Sequence, residues 1–147
     1  MYRRILVATD GSELSNKAVS DAIALAASLK AELIALKVVP RYPQSYFEGA
    51  IPLSTQDVAR VEQQWSDEGH AVVEAVKTAG AAQGVTVKAV IARSDIVSDA
   101  LIAAAKKHEA DLIVMASHGR KGVKRLLLGS ETQQVLTHSE IPVLVLR

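Results

Sequence analysis

The sequence contains no cysteine, few aromatic residues and no long apolar run. The absence of cysteine excludes disulfides, thiolate nucleophiles and thiolate zinc sites. Aromatic residues make up only 3% of the 147 residues, which favours a core of packed aliphatic side chains. No apolar stretch approaches the roughly 20 residues of a membrane-spanning helix. The first four residues lead straight into a strand-like run instead of an apolar signal region. We therefore expect a cytoplasmic protein.

The sequence also lacks a strong charge imbalance and the common catalytic motifs. Its formal net charge is +1, so no general attraction to nucleic acid or membrane is expected, and any electrostatic function must be local. The four histidines do not have the spacing of a metal site, and neither a Walker motif nor a nucleophile elbow is present. Because these motifs are missing, no catalytic residues are expected. With 49% hydrophobic residues, the chain is expected to form one globular domain over residues 1–147.

Short apolar runs alternate with amphipathic stretches along the chain. Strands are predicted at Ile5–Ala8, Leu33–Val39, Val85–Ala92, Asp111–Met115 and Pro142–Leu146, and helices at about Leu14–Lys30, from Ser54 to Gly84, at Ile96–Lys107 and from Ser130 to about His138. For the second helix, the apolar residues Val58, Val61, Trp65, Val72, Val76 and Ala79 predict the buried stripe. This alternation indicates an α/β fold with an open parallel sheet and helices on both faces.

A doubly covered parallel sheet reverses its strand order once, and ligands bind outside the carboxyl ends of the strands at that reversal. If the first and fourth strands are central neighbours, the turn Thr9–Gly11 and the loop Ala116–Gly122 face each other across a crevice. The stretch Arg41–Leu53 has no periodicity and predicts a loop that holds Tyr42, Tyr46 and Phe47. This loop either covers a nucleoside or is simply exposed.

The loop after the fourth strand has the composition of a phosphate-binding site. Its glycines allow backbone to approach a ligand closely, and Arg120, Lys121, Lys124 and Arg125 supply positive charge. Ser130 is predicted to open a helix whose free N–H groups favour anions. An alternative for Ser130 needs no ligand, because Gln133 gives it the spacing of a capping box. Lys121, Lys124 and Arg125 also fit a solvated face.

Four segments together carry a family resemblance. They are Ile5–Ser12, Asp111–Met115, Gly119 with the pair Gly129-Ser130 after nine intervening residues, and Ile141–Val145. With these segments the whole chain resembles the universal stress protein family of the UspA type. The resemblance implies a five-stranded parallel sheet in the order 3-2-1-4-5, which is a Rossmann-like fold of the adenine nucleotide alpha hydrolase type. In one branch of the family it also implies ATP binding.

The ATP-binding branch is marked by a glycine, two residues, a glycine, nine residues, and then glycine with serine or threonine. Gly119, Gly129 and Ser130 match this pattern, whereas Ala116 stands where the first glycine belongs. If the backbone at Ala116 is extended or right-handed, the methyl group has little effect. If it is left-handed, alanine costs roughly 1–2 kcal/mol and the site shifts.

The resemblance implies a set of nucleotide-binding residues at the crevice. Asp10 is expected beside the adenosine or in contact with metal-bound water, and an Asx turn is compatible with either role. His118 either reaches a phosphate or acts as a spacer. The expected ligand is ATP, with AMP and ADP as alternatives. A nucleotide-bound Mg or Mn ion is compatible with this expectation. The full set is Ala8, Thr9, Asp10, Val38, Ala116, His118, Gly119, Arg120, Gly122, Gly129, Ser130, Glu131 and Thr132.

Three functions compete at this stage. The first is an ATP-binding stress-response module with slow or no hydrolysis, at most a weak ATPase. The second is an interaction protein of the same fold that binds no nucleotide. The third, an ATP-using enzyme of a related fold, is disfavoured because its phosphate loop should follow the first strand, where Thr9–Glu13 is too short and too acidic. A homodimer is expected through the edge strand Ile141–Arg147, with a monomer as the alternative.

Overall fold

Strands and helices alternate in the computed structural model, which describes residues 1–41, 54–118 and 128–147. The five strands are β1 (Arg4–Ala8), β2 (Glu32–Val39), β3 (Val87–Arg93), β4 (Leu112–Ala116) and β5 (Val143–Leu146). The four helices are α1 (Glu13–Leu29), α2 (Thr55–Ala82), α3 (Val97–Lys107) and α4 (Ser130–His138). The predicted α/β fold is therefore confirmed.

The strands form one parallel sheet in the order β3-β2-β1-β4-β5. Strand β1 is central, with Ile5 opposite Leu33 of β2 on one side and Leu112 of β4 on the other. Because all neighbours are parallel, the carboxyl ends of the strands lie along one edge, named here the carboxyl edge, and their starts form the amino edge. The order reverses between β1 and β4, as the crevice hypothesis requires.

Each face of the sheet is covered by two helices, and each interface has its own core. Successive side chains of a strand point to opposite faces, so Ile5 and Leu6 belong to different cores. Helices α1 and α2 cover the first face, with Ala22, Ile23, Val73 and Val76 against Ile5, Val7, Leu33 and Val114. Helices α3 and α4 cover the second face, with Leu101, Ala105 and Val135 against Leu6, Leu36 and Ile113.

The buried face of α2 differs from the predicted stripe. Ala79 is exposed and Val72 only half-buried, whereas the buried positions include Gly69 and Gly80. A Cβ atom on Gly69 would lie 3.0 Å from Val39 Cγ1, and one on Gly80 would overlap Val87 Cγ2. The prediction holds at Val76 but missed the two glycines, through which α2 also approaches β2 and β3.

No helix within residues 1–41, 54–118 and 128–147 combines the length and the apolar character needed to cross a membrane.

Candidate functional site at the carboxyl edge

The turn after β1 bonds to itself. Asp10 Oδ1 accepts the N–H of Ser12 at 2.9 Å, which is the Asx turn expected from the sequence. Thr9 Oγ1 accepts the N–H of Gly11 at 3.2 Å, and Gly11 takes a positive φ of 80° that favours glycine. The backbone donors of Gly11 and Ser12 therefore already have partners within the turn.

Ser15 completes this turn from the first turn of α1. Its N–H donates to Ser12 Oγ at 3.2 Å, so Ser12 is the N-cap of α1. Its hydroxyl donates to the Ser12 carbonyl at 3.1 Å and lies 3.2 Å from Thr9 Oγ1. Both Thr9 and Ser15 are buried. The side chain of Thr9 is therefore used within the turn, and its assignment as a nucleotide contact stays a prediction.

Ala116 fits its position without strain. It is the last residue of β4, where it pairs with Leu146 of β5. Among the described residues other than glycine, only Lys30 and Glu109 have a positive φ. The backbone at Ala116 is thus not left-handed, and the first of the two alternatives for the missing glycine holds.

Ser117 and Gly129 close the two ends of the next loop against each other. The N–H of Ser117 donates to the Leu146 carbonyl at 2.7 Å, and the Ser117 carbonyl accepts the N–H of Gly129 at 2.8 Å. A Cβ atom on Gly129 would lie 3.2 Å from His118 Cα and 3.3 Å from the Ser117 carbonyl oxygen. The glycine of the motif is needed here for space, because its φ of −62° suits any residue.

The start of α4 differs from the predicted capping box. Gly129, not Ser130, is the N-cap, and no side chain caps the helix. Ser130 is the first helical residue and is exposed, and the Gln133 amide donates instead to the Leu128 carbonyl at 3.1 Å. The capping-box alternative for Ser130 is therefore wrong, because the N-cap lies one position earlier. The positive end of the helix has no side-chain acceptor.

The side chains of Glu131 and Thr132 have different surroundings. Glu131 is exposed in the first turn of α4, where a carboxylate complements the helix dipole. Thr132 is only 2% exposed, and its hydroxyl donates to the Ala116 carbonyl at 3.1 Å. Its hydroxyl thus connects α4 to the end of β4, and its assignment as a nucleotide contact stays a prediction.

The described site residues gather at one edge, as predicted. Ala8 and Asp10 at the end of β1 neighbour Ala116 and His118 at the end of β4, because Val7 pairs with Val114. Val38 is half-buried near the end of β2 and packs against the second core. Of the predicted residues, Gly119, Arg120 and Gly122 lie outside the described residues, as do Lys121, Lys124, Arg125, Tyr42, Tyr46 and Phe47.

Sequence reasoning did not place Ser117 in the site. Its hydroxyl lies 3.2 Å from His118 Nδ1, and its side chain is buried. The signal was its position directly after the fourth apolar run, where such folds bind ligands.

The shifted pKa values of His108 and Arg4 belong to the amino edge. Within the described parts of the chain, no three histidine, aspartate or glutamate side chains are grouped to hold a metal ion. Burial, and then the charges of Lys88 and Lys107, lower the pKa of His108. A hydrogen bond and the charge of Glu109, followed by Glu32, raise the pKa of Arg4. Both groups lie at the amino edge, beside a surface cleft far from the motif residues.

The sequence profile of the universal stress protein family matches residues 1–147. The chain belongs to this family. It is 31% identical over 147 residues to universal stress protein MJ0531 of Methanocaldococcus jannaschii, covering 100% of this chain and 83% of the relative. It is also 31% identical over 149 residues to universal stress protein YxiE of Bacillus subtilis, covering 100% of both chains.

Solved structures of similar proteins agree with the fold. MJ0577 of M. jannaschii superposes with a TM-score of 0.84 at 29% identity, covering 99% of this chain and 96% of the other. A universal stress protein in complex with cAMP gives a TM-score of 0.72 at 25% identity, with coverage of 99% and 97%. A universal stress protein of Archaeoglobus fulgidus in complex with dAMP gives 0.66 at 16% identity, with coverage of 99% and 98%, which supports the fold alone.

Proposed function

We propose that this universal stress protein binds an adenine nucleotide in the crevice between the ends of β1 and β4. ATP is the preferred ligand, with ADP or AMP as alternatives, and the protein acts as a regulatory stress-response module. One observation carries the proposal: α4 begins at a glycine without a side-chain cap, pressed against Ser117 and His118. This positive helix end lies at the point where the strand order reverses.

The phosphates are assigned to the start of α4. The first N–H groups of a helix have no intrahelical acceptor, and together with the helix dipole they bind anions. Gly129 has no side chain to cover the first turn of α4, and the exposed hydroxyl of Ser130 lies next to it. Gly119, Arg120 and Gly122 belong to the same proposed phosphate site through the motif.

The nucleoside is assigned to the ends of β1 and β2. Ala8 and Val38 are half-buried apolar side chains in the second core cluster, and both lie near the carboxyl edge. Asp10 follows Ala8 closely and offers a carboxylate to a sugar hydroxyl or to water on a nucleotide-bound Mg or Mn ion. The cAMP complex of a similar protein, at 25% identity, supports this choice of ligand class.

Hydrolysis is expected to be slow or absent. Efficient phosphoryl transfer requires a lysine or arginine clamp and a group that orients the attacking water. Among the described residues at the carboxyl edge, the Ser117 hydroxyl faces His118 and the Thr132 hydroxyl donates to a carbonyl. Asp10 accepts a backbone N–H. These side chains serve the local structure and leave the nucleotide bound without a general base.

Calorimetry with ATP, ADP and AMP tests the proposal. The wild-type protein is expected to bind at least one of them with micromolar affinity, and phosphate release under excess ATP is expected to stay near background. Ser130→Ala should weaken binding several-fold, since it removes a hydroxyl beside the phosphates. Ser28→Ala, an exposed serine on α1, is the matched control. No heat of binding with millimolar nucleotide would favour the interaction protein without a nucleotide.

We also propose that the chain forms a homodimer through Ile141–Arg147. Strand β5 is an edge strand, and Leu144 on it is 40% exposed. An unpaired apolar edge invites association with a second copy. Light scattering is expected to give twice the monomer mass, and Leu144→Glu should lower it. Leu136→Glu is the control, because Leu136 is 42% exposed but lies on α4. An unchanged mass in Leu144→Glu would point away from this edge.

A further inference from the structure

We propose that Ser117 is a positioning residue that holds the imidazole of His118 in its Nε2–H form. The crevice then contains a neutral N–H donor for an oxygen of the bound nucleotide. This inference rests on the proposed function for its ligand but not for the state of the ring. It begins with the partners of the histidine ring nitrogens.

Two other histidines show the opposite arrangement. His70 Nδ1 lies 2.8 Å from the Ser66 carbonyl, and His138 Nδ1 lies 2.9 Å from the Gln134 carbonyl. A carbonyl oxygen only accepts hydrogen bonds, so in both rings Nδ1 carries the proton. When neutral, these two rings are therefore in the Nδ1–H form, with Nε2 as an acceptor.

His118 differs because its Nδ1 faces a hydroxyl. Ser117 Oγ lies 3.2 Å from this nitrogen. Ser117 is 5% exposed, so its hydroxyl proton needs an acceptor within the protein. Among the described residues, His118 Nδ1 is the acceptor within hydrogen-bond distance of this hydroxyl. If Nδ1 carried a proton, the hydroxyl proton would have no acceptor there, which is unfavourable for a buried group. Ser117 therefore donates, and the ring proton is on Nε2.

The position of His118 gives this ring form a use. A Cβ atom on Gly129 would lie 3.3 Å from His118 Cβ, so the side chain leaves the backbone beside the first turn of α4. His118 is half-buried, and its Nε2 lies across the ring from the nitrogen that Ser117 occupies. A neutral N–H adds a donor without placing a cation against the positive end of the helix. Phosphate and ribose oxygens both accept such a bond.

Nitrogen-15 spectra of the free protein test the ring form, independently of any ligand. At pH 8, where histidine side chains are mostly neutral, the Nδ1 and Nε2 shifts report which nitrogen carries the proton. His118 is expected in the Nε2–H form, with His70 and His138 in the Nδ1–H form as internal references. Ser117→Ala should shift His118 towards a mixture of the two forms. An Nδ1–H ring in the wild type, or an unchanged ring in Ser117→Ala, would overturn the inference.

Ser66→Ala is the matched control for Ser117→Ala. Ser66 Oγ is also near a histidine, 3.5 Å from His70 Nδ1, but the ring is held by the Ser66 carbonyl, which alanine keeps. The His70 signals should therefore keep the Nδ1–H pattern. A change of ring form at His70 of the size seen at His118 would mean that loss of a nearby hydroxyl perturbs any ring, and the positioning role would fall.

Nucleotide affinity tests the use of the ring. Ser117→Ala is expected to weaken binding about 3- to 10-fold, and His118→Leu by at least that factor, since leucine has no donor. His118→Gln keeps an N–H donor and should lose less than His118→Leu. If the ring form changes as expected while both Ser117→Ala and His118→Leu bind like wild type, the contact with the nucleotide is refuted. A wild type that binds no nucleotide refutes the proposed function and leaves the spectra as the test of positioning.

Discussion

Helices α1 and α4 both start at the carboxyl edge, on opposite faces of the sheet, and their starts are built in different ways. Helix α1 follows a turn in which Thr9, Ser12 and Ser15 supply hydroxyl groups to one another and to the backbone. Helix α4 starts at Gly129, where no side chain forms a cap. Position in the fold therefore does not decide which helix start can receive an anion. The difference between the two starts is whether side chains of the protein already accept hydrogen bonds from the backbone N–H groups there.

This difference gives the two starts separate roles. The α1 start is a closed unit of hydrogen bonds that fixes the end of β1 and presents Asp10. The α4 start is fixed to the end of β4 by hydrogen bonds from Thr132 to the Ala116 carbonyl and from Gly129 to the Ser117 carbonyl. Its first turn has no side-chain cap. Changes at α1 should therefore act mainly on stability, and changes at α4 mainly on binding.

Gly129→Val is expected to have the largest effect on binding. Its Cβ atom would lie 3.2 Å from His118 Cα, and the two further methyl groups would push α4 away from β4. We expect nucleotide binding to be lost in calorimetry, and the free energy of unfolding to fall by roughly 1–3 kcal/mol. A variant that binds as tightly as wild type would remove the distinction between the two helix starts.

Ser15→Ala tests the closed unit at α1. The hydroxyl of Ser15 donates to the Ser12 carbonyl and contacts the hydroxyl of Thr9, all in a buried setting. Its loss is expected to lower the free energy of unfolding by about 1–3 kcal/mol in urea titrations. Nucleotide affinity should change less than twofold. A large loss of affinity with little loss of stability would reverse the roles assigned to the two starts.

Ala116→Gly restores the glycine of the family motif and should change little. Ala116 is extended and paired within β4, so glycine relieves no strain and loosens the strand. We expect nucleotide affinity within about twofold of wild type and a loss of stability of about 0.5–1 kcal/mol. A tenfold gain in affinity would mean that the methyl group blocks the crevice.

The smallest effect is expected at the amino edge, away from both helix starts. The pKa of His108 is lowered by burial, Lys88 and Lys107, so the unfolded chain binds more protons there than the folded one. Stability from this group is present above the ordinary histidine pKa of about 6.5 and decreases as the pH falls through that range. His108→Gln should reduce the drop in urea midpoint between pH 7.5 and 5.5, with unchanged nucleotide affinity. An equal drop in both proteins would contradict the assignment.

Much of the fold followed from local patterns. The aliphatic runs around Leu6, Leu36 and Ile113 are buried on both faces of the sheet, so they had to be continuous in sequence. Hydrophobic periodicity does not register small residues as contact positions, which is why Gly69 and Gly80 were missed. The close approach of α2 depends on the shape of the sheet surface, which the sequence of α2 does not contain.

The site was predictable in position but not in its bonds. Two turns were expected to meet once β1 and β4 were placed as neighbours, and the pairing of β1 with β4 is confirmed. Ser117 was missed because its backbone partners, Leu146 and Gly129, are distant in sequence. Ser130 opens α4 as predicted, but its alternative role as the N-cap of a capping box was wrong, because Gly129 takes the N-cap position.

The two crevice glycines obey different substitution rules. Gly11 has a φ of 80°, a conformation that asparagine also tolerates, so a homologue with asparagine there keeps the turn. Gly129 has an ordinary φ of −62°, but a β-carbon there would lie only 3.2 Å from His118 Cα. Asparagine at the second position would therefore require Ser117 and His118 to move. The first glycine is therefore needed for its backbone conformation, and the second for its close contact with Ser117 and His118.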